Sequence, residues 1–274
     1  MVLAPPSPPV TALTAFGVSA TPTRLPGGQG GTFQAGDLIL KPTENPDEIQ
    51  WLADVYSDVV QDGFRIARPQ RSLQGDLVVD GWWAQQRLEG RHVSNKWQAT
   101  FQTCRVFHFG VAHLRRPAFL ASADDPWAVA DRVAWQEAEI VIDHRLKPSV
   151  ARLRALLRPV DLPEQLIHGD FYGNVLFADG LSPAIIDMSP YWRPAAFALA
   201  VTAVDAHVWW SAPLSLLEPW IANSDMTQML VRATLRRLVE VEAHFQHSGR
   251  DIYDQVSAYQ NLVDYLERST GVTP

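Results

Sequence analysis

A chain of 274 residues, 47% of them hydrophobic and 19% charged, can bury a sizeable core in one large domain or two modest ones. Its formal net charge of −7 argues against nucleic acid or an anionic membrane surface as the main partner. The single cysteine, Cys104, excludes an internal disulfide and fits a reducing compartment.

Residues 1–12 are Pro-rich and are expected to be extended or loose, and the apolar start has no basic residue before Arg24, so it makes a poor signal peptide. From 13 to 88 the sequence favours strands around one helix. GGTFQAGDLILKP reads as two short strands joined at Ala35-Gly36, and GDLVVDGWWAQQRL repeats the pattern around an Asp80-Gly81 turn of the primed type. Between them Asn45-Pro46 signals a helix start, with Ile49, Leu52, Tyr56 and Val59 at helical spacing up to Asp62-Gly63. FRIARP then reads as a strand. After a short connector, residues 89–274 are mostly helical, with helices expected over 95–115, 125–146 and 148–158 and nearly everywhere after Pro194. The longest apolar run, AAFALAVTAV from Ala195, is too short to span a bilayer, so a soluble cytoplasmic protein is expected.

Chemistry gathers at a few places. PGGQGGTF, residues 26–33, places Gly28, Gly30 and Gly31 between strands, where free backbone N–H groups can approach a phosphate, although plain turns also look like this. Lysine is scarce beside arginine, yet Lys41 ends the apolar strand DLILK, a costly position unless it meets an anion or snorkels at the edge. Glu48 can pair with it from the first turn of the next helix or can serve a capping box, with Asp54 a weaker partner. IHGDFYGNVLFADGLSPAIIDMSP, residues 167–190, carries Asp170, Asn174 and Asp187 beside two short strands. Asp and Asn are hard oxygen donors suited to Mg²⁺, and a carboxylate slightly removed can accept a proton from an attacking hydroxyl. No second His or Cys lies at ligand spacing from His168, so it is expected to bond within its own loop. Asp205, in an apolar helix, is expected to tie that helix to the catalytic loop rather than to touch substrate.

A glycine loop, a strand lysine, a helix glutamate, a connector, an HGD…N loop and a strand-borne Asp follow the order of parts in phosphoryl-transfer enzymes. The HGD wording resembles the aminoglycoside phosphotransferase/choline-kinase-like family, from about residue 25 to 210. The resemblance implies an α+β, bilobal protein-kinase-like fold: a small β-rich lobe with one helix over 13–88 and a larger helical lobe over 89–274. It implies ATP and Mg²⁺ as cofactors and a small-molecule hydroxyl acceptor, with no nucleic acid or membrane partner. Asp170 would be the catalytic base, Asn174 and Asp187 the Mg²⁺ ligands, Lys41 the α/β-phosphate contact and Glu48 its ion-pair partner. The backbone of Gln86 to Leu88 would be the hinge that bonds adenine.

The chain departs from that pattern in three places. Asn174 follows Asp170 by four residues where the family uses five, which implies a tighter loop using Gly173. DMSPYWRP replaces further acidic residues, and Arg193 there is expected to favour an anionic or neutral acceptor. The glycine loop is also unusually rich in glycine. Tyr191, Trp192, Trp209 and Trp210 can line an acceptor pocket, but core packing is the stronger expectation. The leading reading is a kinase of a sugar, amino sugar or amino alcohol. The alternative is a nucleotide-binding kinase-like scaffold with impaired transfer. A protein kinase is disfavoured, because no APE-like segment or long activation loop follows Asp187. A metal-dependent hydrolase leaves Lys41 and the glycine loop unexplained.

Overall fold

The computed structural model describes residues 7–26, 30–248 and 256–270. They divide into two compact units. The described residues through His92 form one together with Val175–Asp187, and Val93–Asn174 form the other together with the described residues from Met188 onward.

The first unit opens with helix α1 (Val10–Ala15), where loose chain was expected. The prolines stop at Pro9, whose extended conformation makes it the N-cap. Tertiary contacts then hold a helix too short to stand alone. Ala12 and Phe16, one turn apart, are buried in a cluster with Phe33, Ala35, Leu40, Trp82 and Ala84. The Leu73 N–H donates to the Ala15 carbonyl at 2.8 Å, and the Thr11 hydroxyl donates to the Asp80 carboxylate.

Strands β1 (Thr23–Arg24), β2 (Phe33–Ala35) and β3 (Leu38–Pro42) run in succession. Because Ala35 pairs with Leu38, the turn residues are Gly36 and Asp37, one position beyond the expected pair; Gly36 takes the left-handed φ of +59° that the turn requires. Helix α2 (Pro46–Asp58) starts as anticipated, with the Asn45 side chain accepting from the Glu48 N–H and Ile49, Leu52 and Tyr56 buried. FRIARP splits into β4 (Arg65–Ile66) and β5 (Pro69–Gln70). Strands β6 (Val78–Val79) and β7 (Trp82–Gln86) enclose Asp80 and Gly81, both at positive φ as a primed turn demands. The antiparallel sheet runs β1-β2-β3-β7-β5, with β6 also on β7.

In the second unit, helices α3 (Trp97–Val111), α4 (Pro126–Ala134) and α5 (Lys147–Leu156) precede β8 (Glu164–His168). Helix α4 stops twelve positions short of the expected 146. Gln136 is left-handed at φ 63°, the Gln136 N–H reaches the Val133 carbonyl at 3.1 Å, and the Glu137 N–H reaches Arg132 at 2.8 Å. These bonds form a Schellman termination without its usual glycine.

Strands β9 (Val175–Leu176) and β10 (Ala184–Ile185) form an antiparallel pair that belongs to the first unit, because β10 runs parallel to β4. Strand β11 (Pro190–Pro194) returns to the second unit and pairs antiparallel with β8. Helices α6 (Ala195–Trp210), α7 (Glu218–Ile221), α8 (Ser224–Ser248) and α9 (Val256–Thr270) complete it. Helix α6 is apolar on all sides, so every residue from Phe197 to Ala206 is buried. Among the described residues no helix is long and apolar enough to cross a membrane.

Candidate functional site

Strand β8 delivers the HGD loop. Leu166, Ile167 and His168 are fully buried, which fixes the strand end. The His168 N–H donates to His108 Nε2 at 3.0 Å, while His108 Nδ1 lies 2.7 Å from the Cys104 carbonyl. The His108 ring therefore carries its proton on Nδ1. Burial, first of all, lowers its pKa to about 3 and keeps it neutral. His168 Nδ1 in turn accepts from the Asp170 N–H at 3.2 Å, a bond within its own loop as expected.

Gly169 is required by close approach. A Cβ there would lie 2.3 Å from the Tyr191 ring and 2.9 Å from Arg236 Nη1. The Gly169 N–H is tied to the Ser189 carbonyl at 2.8 Å. Tyr172 anchors the next turn, its hydroxyl donating to the Ser94 carbonyl at 2.7 Å. Tyr172–Asn174 form one 3₁₀ turn, and the Asn174 N–H reaches Phe171 at 3.1 Å. This tighter winding absorbs the four-residue spacing; Gly173 is not at positive φ, and a side chain there would meet nothing within 4 Å.

The Asp170 side chain is half-exposed and held at both oxygens. Asn174 Nδ2 donates to the Asp170 carbonyl at 2.6 Å and to Oδ2 at 3.2 Å. Arg237 Nη2 donates to Oδ1 at 2.9 Å. Burial of the carboxylate works against its charge, but Arg237, then His168, then Arg236 outweigh it and hold the pKa below the ordinary value. Asp205 on α6 is bonded through Arg237 Nε at 2.8 Å and Nη2 at 2.5 Å. The expected tie from Asp205 to the HGD loop thus runs through an arginine. The Arg236-Arg237 pair was missed in the sequence, where arginines followed by Glu240 at helical spacing look like a solvated ion-pair face.

In the first unit, the Lys41 ammonium pairs with the Asp187 carboxylate across 146 positions of sequence. Lys41 lies on β3 opposite Trp83 of β7, and burial lowers its pKa to about 8. Asp187 takes a left-handed φ of 51°, a conformation that aspartate tolerates better than most side chains. Glu48 sits in the first turn of α2, while Asp54 is exposed and accepts from Gln50 at 2.8 Å. Gly30 is at φ +74° and its carbonyl accepts from Arg24; Gly31 follows it in the segment before β2, and Gly28 lies outside the described residues. At the end of β7, the Gln86 N–H bonds the Arg68 carbonyl at 3.1 Å and the Arg87 N–H bonds Asp37 at 2.9 Å. No hydrogen bond takes the Leu88 N–H among the described residues.

Two expectations are overturned. Arg193 does not offer its charge to an acceptor. It is 8% exposed and stacked on Trp135, with Nε on Asp131 at 2.8 Å and both terminal nitrogens on Glu137 at 2.7 Å. Nor is the aromatic group core: Tyr191, Trp192 and Trp210 are part-buried, and Trp209 is 46% exposed.

Among the described residues, no group of three or more His, Cys, Asp or Glu side chains is placed to hold a metal. The two expected ligands are a carboxamide, Asn174, and a carboxylate, Asp187. That set suits Mg²⁺, which keeps several of its waters and takes substrate phosphates as ligands. Asn174 spends its amide N–H bonds on Asp170, and its side-chain carbonyl oxygen is an acceptor.

No protein-family model and no curated protein sequence matches the chain. Solved structures do match it. A thermostable mutant of aminoglycoside phosphotransferase APH(4)-Ia in apo form is 17% identical, with 96% of this chain and 99% of that chain covered and a TM-score of 0.65. Choline kinase LicA from Streptococcus pneumoniae is 12% identical, with 90% and 93% covered and a TM-score of 0.60. Amicoumacin kinase hAmiN, solved with AMP-PNP, Ca²⁺ and Ami, is 14% identical, with 92% and 90% covered and a TM-score of 0.58. At these identities the likeness is one of fold. This chain has the α+β, protein-kinase-like fold of those small-molecule kinases.

Proposed function

We propose that the chain is an ATP- and Mg²⁺-dependent phosphotransferase that moves the γ-phosphate to a hydroxyl of a small molecule, a sugar, amino sugar or amino alcohol. The observation that carries this reading is the part-buried Lys41 ammonium joined to Asp187 at the end of the AIID strand. A lysine is costly at such a place unless it serves an anion. In this reading Lys41 holds the α/β-phosphates, Glu48 is its second ion-pair partner, and Gly28, Gly30 and Gly31 lie over the phosphates. The Gln86–Leu88 backbone receives adenine, for which the uncommitted Leu88 N–H is suited.

Asn174 and Asp187 would hold Mg²⁺, which when bound neutralises charge on the transferred phosphate. Asp170, ionised and fixed at both oxygens, orients the acceptor hydroxyl and takes its proton at a free carboxylate lone pair. Residues 13–88 would bind nucleotide, and the helices of 89–274 would bind the acceptor. The solved amicoumacin kinase with AMP-PNP supports nucleotide use by this fold. A soluble cytoplasmic setting, without nucleic-acid or membrane partners, is part of the same proposal.

Calorimetric titration with ATP tests the reading. Binding that tightens when Mg²⁺ is added is expected, followed by ADP release in a screen of hydroxyl acceptors. Asp170→Asn should lower transfer by about 10²–10⁴-fold, the usual worth of a positioned base, while ATP affinity stays within about twofold. Transfer at the wild-type rate would refute the base assignment. ATP binding without transfer to any acceptor would favour the scaffold reading, whose motive is the four-residue Asp170–Asn174 spacing.

A further inference from the structure

Arg237 belongs to none of the motifs, yet it makes the densest set of polar contacts near Asp170. It stands on α8 and is 8% exposed. Its Nε and Nη2 straddle the Asp205 carboxylate, and its Nη1 donates to Glu240 at 2.6 Å. Glu240 is shared with Arg236, whose Nε donates to it at 2.8 Å. The second N–H of Nη2 reaches Asp170 Oδ1 at 2.9 Å, so the same bond that satisfies the buried guanidinium also restrains Asp170. Alone, a half-exposed aspartate samples several rotamers. Here Asn174 holds Oδ2 from within the loop and Arg237 holds Oδ1 from α8, so the carboxylate plane is fixed from two independent elements. Each oxygen keeps a lone pair for a hydroxyl.

We infer that Arg237 is a positioning residue for Asp170: braced by Asp205 and Glu240, it sets the orientation in which the Asp170 carboxylate meets an acceptor hydroxyl. The catalytic consequence rests on the phosphotransferase reading; the grip on Asp170 does not.

The test has two arms. The first uses no substrate and compares urea midpoints of wild type, Asp170→Asn, Arg237→Gln and the double variant. Asp170→Asn is expected to shift the midpoint in the wild-type background and leave it unmoved in the Arg237→Gln background. An equal shift in both backgrounds overturns the inference. Should Arg237→Gln fail to fold, Arg237→Lys replaces it, and the shift must shrink in that background. The second arm measures ADP release from Mg-ATP with water as acceptor. Arg237→Gln should lower kcat about 100-fold, the scale of a misplaced catalytic group, with KM for ATP changed less than about twofold. Arg237→Lys, which restores a cation, should recover part of the loss, and Glu240→Gln, which leaves Arg237 in place, should fall between wild type and Arg237→Gln. A raised KM with kcat intact overturns the positioning role. Wild type that releases no ADP counts against the phosphotransferase reading, and the first arm then decides the inference by itself.

Discussion

At the residue scale, the glycine of the HGD loop shows how packing dictates sequence. A methyl group at position 169 would enter the Tyr191 ring and press on Arg236, whose guanidinium lies 4.2 Å over that ring. Gly169→Ala should therefore cost about 1–3 kcal/mol, the usual range for overpacking, and a matched fall in the urea midpoint would show it. Relief by the second substitution Tyr191→Ala would identify the ring as the obstacle. Asp205 carries a pH signature with a definite sign. Burial raises it from 3.8 to about 6, against the pull of Arg237. Between those values the folded chain holds a proton that the unfolded chain has lost, so this group adds stability as pH falls through 6 and costs stability above it. The wild-type advantage over Asp205→Asn should then grow between pH 7 and pH 4. A difference that is flat across this window would refute the shift.

At the scale of elements, local signals were legible wherever a few adjacent residues decide the outcome. Asn45-Pro46 opened α2, and Asp80-Gly81 closed the β6–β7 hairpin with both residues at positive φ. What could not be read was decided by distant partners. Helix α1 exists because Ala12 and Phe16 meet β2, β3 and β7; Lys41 finds Asp187 across 146 positions; Arg193 is neutralised by Asp131 and Glu137 from a separate stretch. The end of α4 was hidden for a different reason. Its termination uses a left-handed glutamine where a glycine would have announced the stop. A non-glycine residue in that conformation costs roughly 1–2 kcal/mol. Gln136 is exposed and its Cβ is all that resists, so Gln136→Gly should raise stability by up to about 1 kcal/mol, read as a higher urea midpoint. An unchanged or lower midpoint would mean that the glutamine is not strained there.

At the scale of the whole molecule, the chain does not divide into its two units at one point. It leaves the sheet unit after His92, returns for Val175–Asp187 and leaves again at Met188. The returning segment is structural as well as chemical. Strand β10 is the parallel partner of β4, with Ala184 opposite Arg65 and Ile185 opposite Ile66. The Arg65 guanidinium bonds the Ser182 carbonyl at 2.8 Å, and Arg91 bridges Phe177 through reciprocal backbone bonds. Asp187, at the end of that segment, supplies the anion for the part-buried Lys41. A fragment ending at His92 would therefore keep only β4 of the β4-β10-β9 sheet and leave Lys41 without the Asp187 anion. Such a fragment should lack a cooperative melting transition. Joining 175–187 to it through a flexible linker should restore one, because the same strand pairing and ion pair can form again. If the fragment ending at His92 melts cooperatively without the added segment, the sheet unit does not depend on the strand pair that carries Asp187.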